Sequence, residues 1–537
     1  MVTQLLPPLV LLAAGGAWLL IAALRRPGVR WHHLRWATVG ILGLVLLLWL
    51  FLAPAAGQPW EVINWSTADL VIAPLALQAN QPGRLIGLAL LATALAGVLS
   101  LRHRLQDETD PAGQARDLGL LLVALGAAVI ALLPANPLTL ALAWTAVDGL
   151  LAVIWLLSPL ERRTEEPGNV LLSWGAGAVG TLLLWSAVLS LPGGPAAQSF
   201  AGLGSAAGWP ATVFFVAVLL RLAPFPFHLG RPLPAPGTFR YPALNVTIQL
   251  IPLATGAWLL ARVPGWEGIP FLWQQILTAL LLTGLVGSGL TAWLPSESRR
   301  TVRWVISGHA GLVALVALWV GPQATMAEGL VLILAGGLLG LLARLEQVAI
   351  ENRIAAGLGA LALAGVPLTW GGDSRPLLFE AWQAQNWGLY LFLAAGAYVL
   401  ILGSAGRLVL TPRPATPDLR TRIPHGIGLG LLAVGLVLRA GALPPAGLLT
   451  WLALLIPIPL AAALAWEADS LRSIQDEVEG WLSPLLSLRW LRRLAGRAGA
   501  LLGRAFQTVH EITEAEGTLL WVLIVLTLGW LLTTQQG

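Results

Sequence analysis

An arginine stands inside one of the apolar segments of the sequence, beside two prolines. Arg221 follows the apolar run 211–220 and precedes Pro224, Pro226 and His228. A charged side chain at membrane depth is costly, so a spanning segment that carries one is a candidate functional site. Each proline removes a backbone N–H donor, which predicts a break or kink in the helix near Arg221. An ionisable group at a broken membrane helix is an arrangement typical of an ion path.

The octet from Arg221 to His228 resembles the signature K-x-x-x-x-P-F-H of the antiporter-like subunits of respiratory complex I. Multisubunit sodium/proton antiporters and membrane-bound hydrogenases share this family. Arg221 stands at the position of the family lysine, and Pro226, Phe227 and His228 keep the P-F-H. The resemblance implies an all-α, polytopic membrane fold and a subunit that translocates protons while electron transfer takes place elsewhere in the complex.

Two further segments match family motifs that bear charged side chains. Residues 297–311 align without gaps with D-x-K-R-x-x-A-Y-S-x-x-S-x-x-G, and residues 363–375 resemble L-x-G-x-P-x-x-x-G-F-x-x-K. Arginine stands wherever these motifs have lysine. The site residues that follow from the two segments are Arg375 and His309 for a proton path, and Glu297, Arg299 and Arg300 for loop or interface charges.

A carboxylate partner for Arg221 is predicted in the fifth span. Residues 142–148 resemble the family's fifth helix, which reads W-E, and alignment on Trp144 places Thr145 at the glutamate. Asp148 lies three residues further, on nearly the same helix face. The family glutamate pairs with the lysine of the seventh helix, so the resemblance predicts an ion pair between Asp148 and Arg221 in the membrane interior.

The sequence departs from the family at several positions that carry proton chemistry. The central lysine of the eighth helix falls at Leu253 or Ala254, and Leu233 replaces the acid after the P-F-H turn. Arginine replaces the remaining lysines, and guanidinium, whose pKa lies far above neutral pH, does not deprotonate in proteins. Its fixed charge can still act on carboxylates, histidines or water. All 31 basic residues are arginine, so a general avoidance of lysine is an alternative explanation of these exchanges.

The composition is that of an integral membrane protein, because 57% of the 537 residues are hydrophobic and only 11% are charged. The absence of cysteine excludes disulfides, thiolate metal sites and cysteine-bound clusters. No catalytic constellation, cofactor site or redox centre is expected in this chain. The arginines lie mostly between apolar segments, so the net charge of +5 does not indicate a nucleic-acid partner. The expected partners are the lipid bilayer and the other membrane subunits of a complex.

At about 20 apolar residues per span, the sequence predicts some 15 to 16 transmembrane helices. They lie near 8–24, 36–54, 84–101, 117–134, 137–158, 169–191, 208–228, 243–263, 272–294, 302–320, 326–345, 354–370, 386–410, 425–441, 445–466 and 518–533. Arginines follow the odd-numbered spans, which by the positive-inside rule places those ends in the cytoplasm and the N-terminus outside. We therefore expect a multi-pass protein of the inner (plasma) membrane.

An amphipathic helix is predicted before the last span. Apolar residues recur at steps of three or four over 470–516, with arginines among the polar positions, and Pro484 is expected to start the helix late or to kink it. Such a helix either lies on the membrane surface or braces neighbouring subunits, and it resembles the lateral helix of the distal complex I subunit. The predicted divisions are N-terminal helices at 1–115, an antiporter-like core with pseudo-repeated bundles at 116–410, C-terminal helices at 411–469, the lateral helix at 470–516 and an anchoring helix at 517–537.

Three functions follow as alternatives from the sequence. The first is a proton-translocating membrane-arm subunit of a complex I-like NADH/quinone or related oxidoreductase in a bacterial respiratory chain. The second is a structural subunit whose channel no longer conducts, which the missing central lysine favours. The third is a lipid-linked glycosyltransferase that would use Glu61 and Asp69 of the first long outer loop. A carbon-uptake assembly that shares the family is a variant of the first.

Overall fold

The structure, a computed structural model, describes most of the chain up to residue 486. The described residues are 2–24, 31–51, 59–64, 73–101, 110–157, 167–191, 198–227, 239, 241–294, 297–345, 348–411, 419–437, 446–468 and 470–486, with 497, 500–501, 503–504 and 507. Met1–Trp481 form one compact unit and Leu482–Gly537 a second one. The predicted span at 518–533 and most of the predicted helix beyond 486 lie outside the described residues.

Nineteen helices and two short strands make up the described part of the chain. They are α1 (Val2–Ala23), α2 (Trp31–Phe51), β1 (Trp60–Ile63), β2 (Leu75–Leu77), α3 (Gln81–Leu99), α4 (Pro111–Ile130), α5 (Pro137–Leu156), α6 (Pro167–Leu189), α7 (Phe200–Ser205), α8 (Trp209–Leu222), α9 (Pro242–Arg262), α10 (Phe271–Trp293), α11 (Ser298–Trp319), α12 (Pro322–Leu342), α13 (Ile350–Leu363), α14 (Gly371–Ala384), α15 (Gly388–Leu410), α16 (Leu419–Val437), α17 (Leu448–Leu455), α18 (Pro457–Trp466) and α19 (Arg472–Leu486).

The polytopic all-α fold predicted from the sequence is confirmed. Within the described residues, eleven segments are long and apolar enough to cross a membrane. Three shorter apolar helical segments accompany them. They are Gly177–Leu189 within α6, Trp209–Leu222, which is α8, and Thr421–Val437 within α16. The chain is therefore a multi-pass membrane protein, and α19 shows that the predicted amphipathic segment is helical up to Leu486.

Side-chain caps and prolines set where several spans begin. Asn80, Asp110 and Asn136 each accept a hydrogen bond from the backbone N–H three residues further on, at 2.8–2.9 Å. Each also has a proline within the next two positions, where the missing N–H costs nothing and the fixed φ suits a helix. The start of α5 is thereby fixed at Pro137, which sets the register of Trp144 and Asp148 along that helix.

In the described part of the chain, a helix ends beside buried charged residues at two places. Helix α8 ends at Leu222, Ala223 adopts a left-handed conformation with φ of 48°, and the chain stays non-helical as far as Phe227. The predicted break at Pro224 and Pro226 is thus confirmed. The proposed path residue His228, like Leu233, lies outside the described residues.

The second interruption corrects the prediction of one continuous helix near 354–370. Helix α13 ends at Leu363, and the chain resumes as α14 at Gly371. Gly365 between them has φ of +73°, a backbone conformation open to glycine, and Pro367 cannot continue a helix. Helix α14 was not predicted because its polar residues and Pro376 do not form an apolar run of spanning length.

Helices α9 and α12 form the centre of the first unit. The apolar part of α9 is buried along its whole length and that of α12 almost completely, whereas α1 and the α17–α18 segment are largely exposed. The loop that was predicted to carry Glu61 and Asp69 contains the antiparallel pair β1–β2. Glu61 is exposed on β1, and Asp69 lies outside the described residues.

Candidate functional site

Asp148 and Arg221 form the ion pair that the sequence predicted. Arg221 Nη1 lies 2.6 Å from Asp148 Oδ1, and the side chains are 1% and 14% exposed. Thr181 Oγ1 donates to the second carboxylate oxygen at 2.6 Å, and Arg221 Nε donates to Thr255 Oγ1 at 3.2 Å. The carboxylate of α5 and the guanidinium of α8 therefore hold each other beside the first helix break, with one threonine from α6 and one from α9.

An aromatic ring lies against the buried guanidinium of Arg221. The Cζ of Arg221 lies 4.4 Å from the centre of the Trp144 ring, a distance at which the ring face attracts a cation. A Cβ on Gly256 of α9 would lie 3.0 Å from Leu222 Cγ and 3.5 Å from Arg221 Cγ, so α9 packs closely against this end of α8. We call Trp144, Asp148, Thr181, Arg221 and Thr255 the Asp148 cluster.

A second buried cluster lies beside the break between α13 and α14. Arg375 Nε donates to Glu328 Oε1 at 3.0 Å, and Ser374 Oγ donates to the same oxygen at 2.6 Å. His309 Nε2 lies 3.0 Å from Glu328 Oε2. The side chains of Arg375 and Glu328 are completely buried, and that of His309 is 2% exposed. With Tyr398, whose ring centre is 4.7 Å from Arg375 Cζ, these residues form what we call the Glu328 cluster.

The helix break itself supplies further partners for Arg375. Its Nη1 donates to the backbone oxygen of Leu363, and its Nη2 reaches that of Ala362 at 3.5 Å. These carbonyls lie in the last turn of α13 and carry the negative end of its dipole, and that of Ala362 also accepts from the Gly365 N–H at 3.0 Å. A Cβ on Gly365 would lie 3.0 Å from Arg375 Nη1, so the glycine both permits the turn and leaves space for the guanidinium.

Helix α11 contacts the turn after α8 and also reaches the Glu328 cluster. Ser307 Oγ lies 3.4 Å from the backbone oxygen of Ala223, and a Cβ on Gly311 would be 3.6 Å from Pro224 Cβ. His309, between these two residues in sequence, faces Glu328 instead. One helix therefore contacts the turn beside the Asp148 cluster and contributes a side chain to the Glu328 cluster.

The turn after α8 depends on close contact with a glycine of α10. A Cβ added to Gly284 would collide with the backbone oxygen of Phe225. We expect Gly284→Ala to lower the free energy of unfolding by about 1–3 kcal/mol through overpacking and to displace the turn. The matched control is Gly396→Ala in α15, where nothing lies within 4 Å of the added atom. Thermal unfolding in detergent measures both, and equal midpoints for the two variants would contradict the prediction.

The positions of the family's central lysine are apolar and buried. Leu253 is 4% exposed and Ala254 is fully buried, and no ionisable side chain occurs in α9 before Arg262 at its end. The polar side chains of α9 are those of Asn245, Thr247, Gln249 and Thr255, all of them buried. Helix α9 therefore supplies no charged group between the two clusters.

The predicted loop charges lie at the start of α11. Glu297 and Arg299 approach to 3.6 Å with side chains 70% and 37% exposed, and Arg300 is exposed. Burial and the positive charges of Arg299 and Arg303 lower the pKa of the Arg344 guanidinium, just beyond α12, below its usual range. These residues concentrate positive charge at one end of the α11–α12 pair and take no part in either cluster.

The structure thus brings Asp148 together with Arg221, and His309 together with Arg375. The partner that joins the second pair, Glu328, was missed because the family motifs do not include it. An acid inside an otherwise apolar segment is a functional candidate by default, and this signal was present in the sequence. Among the described residues, no group of three or more His, Cys, Asp or Glu side chains could hold a metal ion.

Comparison with solved structures gives matches over nearly the whole chain. A chain of the Mrp complex from Dietzia sp. DQ12-45-1b matches with a TM-score of 0.68 and 15% sequence identity, over 98% of this chain and 62% of that one. A chain of respiratory complex I from Thermus thermophilus with bound NADH gives a TM-score of 0.61 and 19% identity, over 86% and 99%. A chain of the membrane-bound sulfane sulfur reductase, an archaeal respiratory membrane complex, gives 0.66 and 15%, over 98% and 100%.

The chain has the antiporter-like subunit fold. The resemblance inferred from the sequence motifs is thereby confirmed at the level of the fold. No family model and no curated protein sequence matches the chain. It spans about 62% of the length of the Mrp chain and the full length of the sulfane sulfur reductase chain. Within the antiporter-like fold, one buried cluster lies beside the end of α8 and the other beside the break between α13 and α14.

Proposed function

We propose that this chain is a membrane-arm subunit of a complex I-like NADH/quinone or related oxidoreductase, and that it translocates protons driven by electron transfer elsewhere in the complex. One observation carries the proposal. Two buried arginine–carboxylate clusters, each beside a helix break, occur in an antiporter-like fold.

A gain in stability does not account for these buried charged clusters. Buried ion pairs recover only part of the cost of desolvating their charges, and apolar residues of similar volume are often at least as stable. Inside a membrane the cost of a charge is higher still, so ionisable residues there usually mark ion or proton pathways. The breaks also free backbone groups from helical hydrogen bonds beside these charges. Two such sites joined by α11 fit a path for protons better than a scaffold.

The surroundings of the chain follow from the same proposal. We place it in the inner (plasma) membrane with the N-terminus outside, because arginines follow the odd-numbered predicted spans. Its partners are other membrane subunits. The side chain of Asp148 is 14% exposed, and Leu156 of the same helix is 60% exposed. We therefore place a neighbouring subunit or lipid against this side of α5.

The alternative of a structural, non-conducting subunit has one observation in its favour. The helix between the clusters carries Leu253 and Ala254 at the position of the central lysine. Arginine at both ion pairs also removes the deprotonating group that the family uses there. A subunit that lost conduction would keep the ion pairs as packing features and would not move protons.

The substitution Asp148→Asn separates the two functions. Asparagine keeps an oxygen that accepts from Arg221 or Thr181 but removes the charge that responds to protonation. In the purified complex, reconstituted in proteoliposomes, we expect fewer protons translocated per electron pair while electron transfer continues. Arg221→Lys, which restores a group able to deprotonate, is expected to be tolerated. Proton uptake and electron transfer are measured in the same preparation.

The matched control is Glu351→Gln, which removes a carboxylate from an ion pair with Arg422 whose side chains are 38% and 40% exposed. This variant is expected to pump at the parent ratio. Assembly of each complex is verified by its subunit composition before transport is compared. An Asp148→Asn complex that assembles and pumps at the parent ratio would establish the structural alternative.

A further inference from the structure

Helices α11 and α12 run antiparallel, and one contact between them sets which residues lie at the same level. A Cβ on Gly336 of α12 would lie 3.4 Å from Ile306 Cδ1 of α11. Arg344 follows Gly336 by eight residues, and the first residue of α11, Ser298, precedes Ile306 by eight. Because both helices rise by about 1.5 Å per residue, Arg344 lies level with the start of α11.

Arg344 is half-buried and makes no ion pair with a described residue. Its Nη1 reaches the backbone oxygen of Gly340 at 3.3 Å, one turn back along its own helix. Burial lowers the pKa of its guanidinium, and the positive charges of Arg299 and Arg303 lower it further. The end of α12 therefore holds a partly desolvated cation that is repelled by two neighbouring cations of α11.

The carboxylates described at this end of α11 and α13 do not neutralise Arg344. Glu297 is 70% exposed and lies 3.6 Å from Arg299, and such an exposed pair contributes little. Glu351 accepts from Arg422 instead. Arg300, in the first turn of α11, is exposed and makes no ion pair with a described residue.

The positive-inside rule accounts for arginines beyond the spans on one side of the membrane, but not for this crowding. An arginine in an exposed loop keeps its water, whereas Arg344 is partly desolvated beside two like charges, and both effects cost free energy. The backbone oxygen of Gly340 carries only a partial charge. A bound anion would supply the missing negative charge.

We propose that Arg344, together with Arg299 and Arg300 of the first turn of α11, binds a phosphate group, and that the ligand is the headgroup of an anionic phospholipid. The guanidinium fork matches the oxygens of phosphate. The first N–H groups of α11 lack helical acceptors and add the positive end of the helix dipole. This inference goes beyond the proposed function, because it does not depend on proton translocation.

A lipid is the source of phosphate that fits the position of the site. The arginines lie at the ends of two spanning helices, which is the depth of the lipid headgroups. In the topology proposed above, this end of α11 and α12 faces the cytoplasm, where the leaflet contains anionic lipids. A phosphate that is dissolved in the cytoplasm has the same chemistry and is distinguished by experiment.

The test titrates the purified full-length protein in neutral detergent with phosphatidylglycerol, with zwitterionic phosphatidylcholine and with inorganic phosphate. Native mass spectrometry counts the bound molecules. Thermal unfolding measures the stabilisation that a ligand of the folded state produces. We expect phosphatidylglycerol to bind more tightly than the other two probes. In Arg344→Gln its affinity should fall about tenfold, because a fork of charged donors is lost.

The matched control is Arg422→Gln, which removes the same charge from an arginine that is 40% exposed and paired with Glu351. In salt of ~0.15 M, charges are screened over about 8 Å, so we expect this variant to keep the parent affinity. If Arg344→Gln does not fold, the double variant Arg299→Gln with Arg300→Gln replaces it. Loss of these more exposed charges is expected to weaken phosphatidylglycerol binding by about fivefold or more.

Three results would overturn the inference. The first is phosphatidylglycerol binding no tighter than that of phosphatidylcholine in the parent protein. The second is the parent affinity in both Arg344→Gln and the double variant. The third is an equal loss of affinity in Arg422→Gln, which would show attraction to charge in general. Inorganic phosphate that binds through Arg344 while phosphatidylglycerol does not would overturn the lipid as ligand and support a site for dissolved phosphate.

Discussion

The substitution Glu328→Ala is expected to lower the free energy of unfolding by about 3–5 kcal/mol, because it leaves a buried arginine without its carboxylate. Arg375 is completely buried, and its other hydrogen bonds reach only the last backbone oxygens of α13. Those oxygens carry partial charges and cannot replace a full negative charge. Unfolding in detergent, followed by helical signal and by protease susceptibility, measures the loss.

Two further variants show whether burial and the unpaired charge cause the loss of stability. Glu351→Ala breaks the exposed pair with Arg422 and is expected to cost less than about 1 kcal/mol, so burial is the main difference between the variants. The double variant Glu328→Leu with Arg375→Met removes both charges and is expected to recover much of the stability. A loss for Glu328→Ala as small as for Glu351→Ala would show that water reaches Arg375.

The Asp148 cluster was predictable because both of its charged members lie in recognisable motifs. Trp144 fixes the alignment of α5, and Asp148 follows one turn later. The prolines after Arg221 mark the break by a local rule, because proline removes a backbone donor wherever it stands. The threonines that complete the cluster were not predictable, because Thr181 and Thr255 lie in spans where threonine usually bonds to its own helix.

The Glu328 cluster was only partly predictable from sequence motifs and from runs of apolar residues. Arg375 and His309 were identified by motif, but their common partner comes from α12, which matches no motif that carries charge. Helix α14 escaped because a membrane helix was sought as a run of about 20 apolar residues. Half of an interrupted span need not have this length or composition when it is enclosed by other helices. The position of Arg375 against the end of α13 depends on that interruption.

The connection between the clusters can be tested at Leu253, where the family's central lysine falls. Leu253 is 4% exposed and lies three residues before Gly256, which is in contact range of Arg221. The two positions share a helix face. A lysine at 253 would therefore bury a second cation near Arg221, while Asp148 already bonds to Arg221 and Thr181.

We expect Leu253→Lys to lower the free energy of unfolding by at least about 3 kcal/mol, through desolvation of the ammonium and repulsion from Arg221. Leu253→Met, which keeps the volume and adds no charge, is expected to cost less than about 1.5 kcal/mol. Unfolding in detergent and the yield of assembled complex measure both variants.

If Leu253→Lys keeps the parent stability, the surroundings of α9 are hydrated and a proton can pass there without a lysine. If it is as unstable as expected, the surroundings of residue 253 exclude water. We would then expect a proton path between the clusters to follow α11, from Ser307 beside Ala223 to His309 against Glu328.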